Sequence, residues 1–286
     1  MRYKADQLRD GGKRATIKAA QRLNRSSGLL AASVLLDSAV EHYRGDFKNP
    51  AMITPIATSL LTLLASAHGH GDDRHGKHHA RNKVFWLTAA TGLVGTGFHL
   101  YNITKKPGGF SWQNLFYSAP LGAPTAIGLA GLFGLLAERI RDTPPGDDPK
   151  LLGRPAGRML GLATAIGLLG TTGEAGLLHF RGSFQNPAMY LPVTMPPVAA
   201  ALMANAALSA ANKTRAFTRL WLGLTTLMGV AGVGFHTYGV SRAMGGWKNW
   251  RQNMVDGPPI PAPPSFVGLA LAGLAALALM RAHDED

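Results

Sequence analysis

The residues His42-Tyr43-Arg44-Gly45 and Phe47-x-Asn49-Pro50-Ala51-Met52 return 137 positions later as His179-Phe180-Arg181-Gly182 and Phe184-x-Asn186-Pro187-Ala188-Met189. The same offset carries Gly97-Phe98-His99-x-Tyr101 to Gly234-Phe235-His236-x-Tyr238, and Gly108-Gly109 to Gly245-Gly246. Two unrelated motifs at one offset mark a tandem duplication, so any fold for this chain must be built twice from one plan. A weaker fourfold pattern lies beneath it. After each His comes an aromatic residue (Phe47, Trp112, Phe184 or Trp250) two or three positions before an Asn, then a Pro six positions beyond that Asn. The Asn–Pro pairs are Asn49/Pro55, Asn114/Pro120, Asn186/Pro192 and Asn253/Pro259, which points to an ancestral helical hairpin with a His at its tip.

Hydropathy says where such hairpins would sit. Only 16% of the residues are charged, against about 25% in ordinary soluble chains, and the charges fall between apolar tracts. Eight tracts, approximately 28–43, 51–67, 84–101, 115–137, 159–180, 188–211, 218–238 and 264–281, have lengths suited to about 30 Å of hydrocarbon. The expected fold is all-α: a polytopic integral membrane protein of about eight transmembrane helices. With four spans per half, the two four-helix repeats should run parallel. The expected divisions are a basic amphipathic N-terminal arm (1–25), repeat one (26–141), a cytoplasmic linker (142–156) and repeat two (157–286).

Orientation follows from the basic residues. With the N-terminus inside, segments 1–27, 68–83, 138–158, 212–219 and the C-terminal tail hold 21 of the 29 Lys and Arg, leaving 8 for the opposite side. This bias predicts an inner (cytoplasmic) membrane protein with both termini cytoplasmic. It also accounts for the net charge of +13 without a nucleic-acid partner. The expected partners are the lipid bilayer and an extracytoplasmic protein at the outer turns.

The chain has no Cys, which excludes disulfides, thiolate-ligated clusters, Cys nucleophiles and c-type haem attachment. No HExxH, phosphate-binding Gly loop or Ser elbow occurs. The candidates for chemistry are therefore the repeated groups. His42, His99, His179 and His236 fall at the outer ends of odd-numbered segments, at similar depth. Each can clasp its turn by a hydrogen bond, and pairs of them can ligate the iron of haem b, as in membrane b-type cytochromes, which the arrangement resembles in architecture. Asp37 and Glu174 are equivalent at the 137 offset, and each precedes its His by five residues within an apolar segment. Acids so placed are costly and suit a proton relay, a cation site or a quinone contact, or else tie helices together as protonated or paired groups. The repeated Asn can cap the following helix, and the aromatics suit an interfacial belt.

Two other motifs bear on function. The loop His68-Gly-His70-Gly-Asp-Asp-Arg-His75-Gly-Lys-His78-His79 has the composition of a divalent-metal tract or of a solvated cytoplasmic loop, and has no counterpart in the second half. The stretch His-x-x-Gly-x-x-x-Asn-Pro-Ala, at His42 and again at His179, resembles the first pore loop of aquaporins. It departs from that family in having one preceding span rather than two, four parallel spans per half rather than three inverted ones, and Met189 where an Arg is usual.

The expected function is that of an inner-membrane subunit, at most the electron-transfer part of an oxidoreductase complex. It would dock an extracytoplasmic oxidoreductase and relay electrons toward quinone through His-ligated haem or a quinone site at its outer face. The alternatives are a transporter or channel with a site on the pseudo-twofold axis, and a cofactor-free anchor or assembly subunit.

Overall fold

The computed structural model describes residues 2–144, 147–209 and 214–284, with side chains within 15–281. These residues are almost all helical. The helices are α1 (Arg2–Arg44), α2 (Thr54–Gly71), α3 (His79–Thr104), α4 (Trp112–Tyr117), α5 (Gly122–Arg141), α6 (Ala156–Arg181), α7 (Leu191–Leu208), α8 (Arg215–Arg242), α9 (Trp250–Asp256) and α10 (Pro264–Asp284). Short 3-10 turns, Pro50–Ile53 and Pro187–Tyr190, run straight into α2 and α7. Pro55 and Pro192 then occupy the first turns of those helices, where a missing N–H costs nothing. In the linker, Lys150–Leu151 pairs antiparallel with Arg154–Pro155.

Among the described residues, five helices are long and apolar enough to cross a membrane: Pro50–Gly71, Gly122–Arg141, Pro187–Leu208, Arg215–Arg242 and Pro264–Arg281. The expected segments 28–43, 84–101 and 159–180 lie in α1, α3 and α6. These helices have the length, but internal Gly and Thr together with Asp37, Glu41, His99 or Glu174 dilute their apolar character. The expected boundary at residue 25 is not visible, because α1 runs through it unbroken. Ile17, Ala19, Ala20 and Leu23 are buried in the core, so the end of the arm belongs to the bundle. The arm's side chains before residue 15 lie outside the described residues, as do positions 145–146 of the linker and 210–213 of the α7–α8 connection.

Four helical hairpins are visible in the packing: α1 with α2, α3 with α5, α6 with α7, and α8 with α10. At the centre α1 packs on both α5 and α10, and α6 packs on both α10 and α5. α2, α3, α7 and α8 lie outside them. The outer helices carry large apolar residues that are more than half exposed, including Leu64, Trp86, Leu93, Phe98, Leu227 and Val230. An apolar belt of this extent requires an apolar surround, and lipid provides one.

The α3–α5 crossing is made by glycine. A Cβ on Gly92 would lie 2.3 Å from the Gly128 backbone, whereas one on Gly128 would make only ordinary contacts at 3.7 Å. Gly92→Ala is therefore expected to cost about 1–3 kcal/mol, while Gly128→Ala leaves stability nearly unchanged. Unfolding of the two variants in mild detergent checks this; equal losses would mean that the crossing is not set by Gly92.

Candidate functional site

All four repeated histidines make the same bond. Each Nδ1 lies against a backbone carbonyl in the segment leading into the next long helix: His42 on Met52 at 2.6 Å, His99 on Pro120 at 2.7 Å, His179 on Met189 at 2.9 Å and His236 on Pro259 at 2.7 Å. Only a protonated Nδ1 can donate to a carbonyl, so the neutral ring keeps its lone pair on Nε2. The second-half loop after α8 is two residues longer, and the equivalence shifts from 137 to 139 between His236 and Pro259.

The turns between His and carbonyl also repeat. Asp46-Phe47, Gly108-Gly109, Ser183-Phe184 and Gly245-Gly246 all have positive φ, between 46° and 87°. The glycines adopt this conformation freely; the other four residues each hold it at a cost of about 1–2 kcal/mol. In return, Phe47 and Phe184 set their rings edge-on to His42 and His179, at 6.3 and 6.2 Å. The expectation for Asn holds for one pair of turns. Asn49 and Asn186 cap the 3-10 turns by accepting from Ala51 and Ala188 N–H, both at 2.9 Å. Asn114 and Asn253 instead donate to loop carbonyls, of Pro107 and Gly109 and of Met244 and Gly246. The Asn-Pro-Ala motif thus opens a full-length helix in each half.

Within each half the two histidines converge. The rings of His179 and His236 have centroids 6.4 Å apart at an interplanar angle of 72°, and His42 lies within electrostatic reach of His99. Gly97, Gly173 and Gly234, in the same ends of α3, α6 and α8, have no neighbouring atom within 4 Å of where a Cβ would stand. Among the described residues, no group of three or more His, Asp or Glu is arranged around a common metal position.

Asp37 and Glu174, one in each half, lie within electrostatic reach of each other. Their surroundings differ for a simple reason. Glu174 accepts the backbone N–H of Gly122 at the start of α5, and its methylene group occupies the space where a Gly122 Cβ would stand. The residue equivalent to Gly122 is Pro261, which has no N–H to offer Asp37; its carbonyl accepts Ser33 Oγ instead. Glu174 Oε1 is buried without a hydrogen-bond partner.

The halves also clasp each other at the His end. Arg251 of α9 stacks over Tyr43 and donates to its hydroxyl, and Arg44 donates to the Val255 carbonyl. In the matching position Arg181 lies over Phe116 of α4 at 5.1 Å, and Phe180 meets the same ring edge-on.

Sequence reasoning missed a buried charge network at the opposite end. Arg81 bonds both oxygens of Glu138, at 2.9 and 3.0 Å, and Asp72 Oδ2 at 2.7 Å. Arg141, fully buried, donates to the carbonyls of Gly69, Asp72 and Arg74. Burial disfavours the Asp72 charge, but the hydrogen bonds from Arg81 and Arg74 outweigh it and hold the carboxyl well below its usual range. These residues appeared in the sequence only as loop charges. The His-rich loop is pinned beside them: His75 reaches the Thr143 carbonyl, His70 meets Gln21 and Arg25, and His68 packs edge-on to His78.

No known protein family, curated protein or solved structure matches the chain.

Proposed function

We propose that the chain is an inner-membrane electron-transfer subunit of eight spans, built as two parallel repeats with both termini cytoplasmic, and that each half holds one b-type haem. His42 with His99, and His179 with His236, are the axial ligand pairs. The observation that carries this is the 6.4 Å separation of the His179 and His236 rings. Two imidazoles on opposite sides of one metal ion, each bonded at about 2 Å, have centroids about 6 Å apart. The clasp alone needs no such pairing, since each His reaches its carbonyl independently.

The donor set fits the group. Nδ1–H held by a carbonyl fixes tautomer and ring orientation, as ligating histidines require, and leaves Nε2 for iron. The bare flanks at Gly97, Gly173 and Gly234 leave room for a flat macrocycle. Haem, when bound, supplies one-electron transfer near what is, in this reading, the extracytoplasmic surface. The four turns, with Tyr43, Arg44 and Arg251, then form the face on which an extracytoplasmic oxidoreductase docks. Asp37 and Glu174 lie one turn or more deeper, where Glu174 Oε1 has no hydrogen-bond partner and, when the acid is protonated, would donate to a quinone oxygen or pass on its proton.

In proteoliposomes supplied with an artificial external reductant, the chain is expected to reduce a ubiquinone analogue. Asp37→Asn and Glu174→Gln together should lower that rate by about 10²-fold or more and leave the visible spectrum unchanged. An unchanged rate would remove both acids from the proton path. The equivalent acids Asp37 and Glu174, one in each half and within electrostatic reach, also favour a second function, transport of a cation or proton along the pseudo-twofold axis. Flux without any redox partner, abolished by the same double substitution, would select it.

A further inference from the structure

At the end of the bundle remote from the histidines, a crevice of about 360 Å³ opens between α1 and α8, with α10 as its floor. Arg22 and Arg25 of α1 and Arg219 of α8 form its rim; Leu271, Leu274 and Ala278 of α10 form its wall. We infer that this crevice is a binding site for an anionic phospholipid, with the headgroup phosphate held by the three guanidinium groups and an acyl chain along α10.

Several independent observations lead there. α10 is otherwise buried along most of its length, and Leu271, Leu274 and Ala278 are half-exposed positions on one face of it. The three arginines are exposed, and no ion pair to any of them occurs among the described residues. Arg25 meets the His70 ring at 3.2 Å, which adds no negative charge. Three cations beside an apolar wall lack an anion with an apolar tail. Guanidinium suits phosphate because its planar fork donates two parallel hydrogen bonds.

Depth agrees. Arg25 precedes His42 by 17 residues and Arg219 precedes His236 by 17, so both lie about 25 Å along their helices from the His end. In a hydrocarbon layer of about 30 Å, that places them near the opposite headgroup region. A basic pocket between helices at that level is suited to anionic lipid.

The duplication supplies an internal control. The counterpart of Arg219 in the first half is Asn82, and those of Arg22 and Arg25 in the second half are Met159 and Leu162. The same fold therefore forms without the arginines, and packing does not demand them. The site is independent of haem or quinone and requires only that the chain lies in a bilayer.

The test is lipid retention by the full chain in detergent, followed by native mass spectrometry with phosphatidylglycerol, cardiolipin or phosphatidylcholine added in turn. Wild type should retain the anionic lipids at least tenfold more strongly than phosphatidylcholine. Arg22→Gln with Arg219→Gln should weaken anionic retention about thirtyfold. Arg22→Lys with Arg219→Lys should stay within about fivefold of wild type, and Arg242→Gln with Lys248→Gln, at the His end, within about twofold. Equal retention of phosphatidylcholine by wild type overturns the proposal without any variant, as does undiminished anionic retention by a folded Gln variant. Displacement of the lipid by millimolar inorganic phosphate would reassign the site to a free anion and overturn it too.

Discussion

Arg81→Met is expected to lower stability by about 3–5 kcal/mol, because it leaves Asp72 and Glu138 as buried carboxylates with their main partner gone. The chain already contains the repair. The residues equivalent to Asp72, Arg81, Glu138 and Arg141 are Ser209, Thr218, Leu277 and Met280, with the offset of 139 applying in α10. Combining Asp72→Ser, Arg81→Thr, Glu138→Leu and Arg141→Met should therefore restore most of what the single change removes, since an uncharged, packed end avoids the desolvation cost. Denaturant unfolding of both variants in detergent measures this. If the fourfold change is as damaging as the single one, the network is not interchangeable with the second half's packing. Acid gives a second handle. A carboxyl held below its usual range contributes stability that is complete above about pH 4 and is lost as pH falls through its lowered value. Wild type should thus remain intact down to about pH 4 and lose stability below it. The fourfold variant should lose the Asp72 share of that dependence.

His236→Asn is expected to remove half of the bound iron and half of the reduced α-band absorbance, leaving the His42–His99 haem untouched. Asn is the informative replacement because its amide N–H₂ can still donate to the Pro259 carbonyl, so the turn stays clasped while the ligand nitrogen is lost. His99→Asn should do the same to the first half, and the two together should abolish both signals. Loss of folded protein in place of loss of colour would make the clasp the whole role of these residues. Halved iron in a folded chain separates ligand from clasp.

Residues that repeat were legible in the sequence; residues that meet only in space were not. The His turns could be read because the duplication preserved each ring and, for His42 and His179, its spacing to the following Asn-Pro-Ala. The bond each ring makes was not encoded by residue type, since its acceptors are backbone carbonyls of residues as different as Met52 and Pro120. The Arg81–Glu138 pair spans 57 positions, so both residues resembled ordinary cytoplasmic loop charges and served only to orient the helices. The buried face of the basic arm was hidden for a related reason. Lys18, Arg22 and Arg25 gave a charged surface pattern, while Ile17, Ala20 and Leu23 between them supply the buried face of the same helix. The inequivalence of Asp37 and Glu174 was likewise hidden. It depends on Gly122 having the N–H that Pro261 lacks.

The visible spectrum of the detergent-purified chain, oxidised and then reduced with dithionite, with iron quantified on the same sample, tests the central claim most directly. Paired axial histidines in each half predict a Soret band, a sharp α-band on reduction and two irons per chain. A featureless, iron-free spectrum from folded protein, prepared from haem-replete cells, would contradict it and leave the four histidines as clasps of a transporter or an anchor.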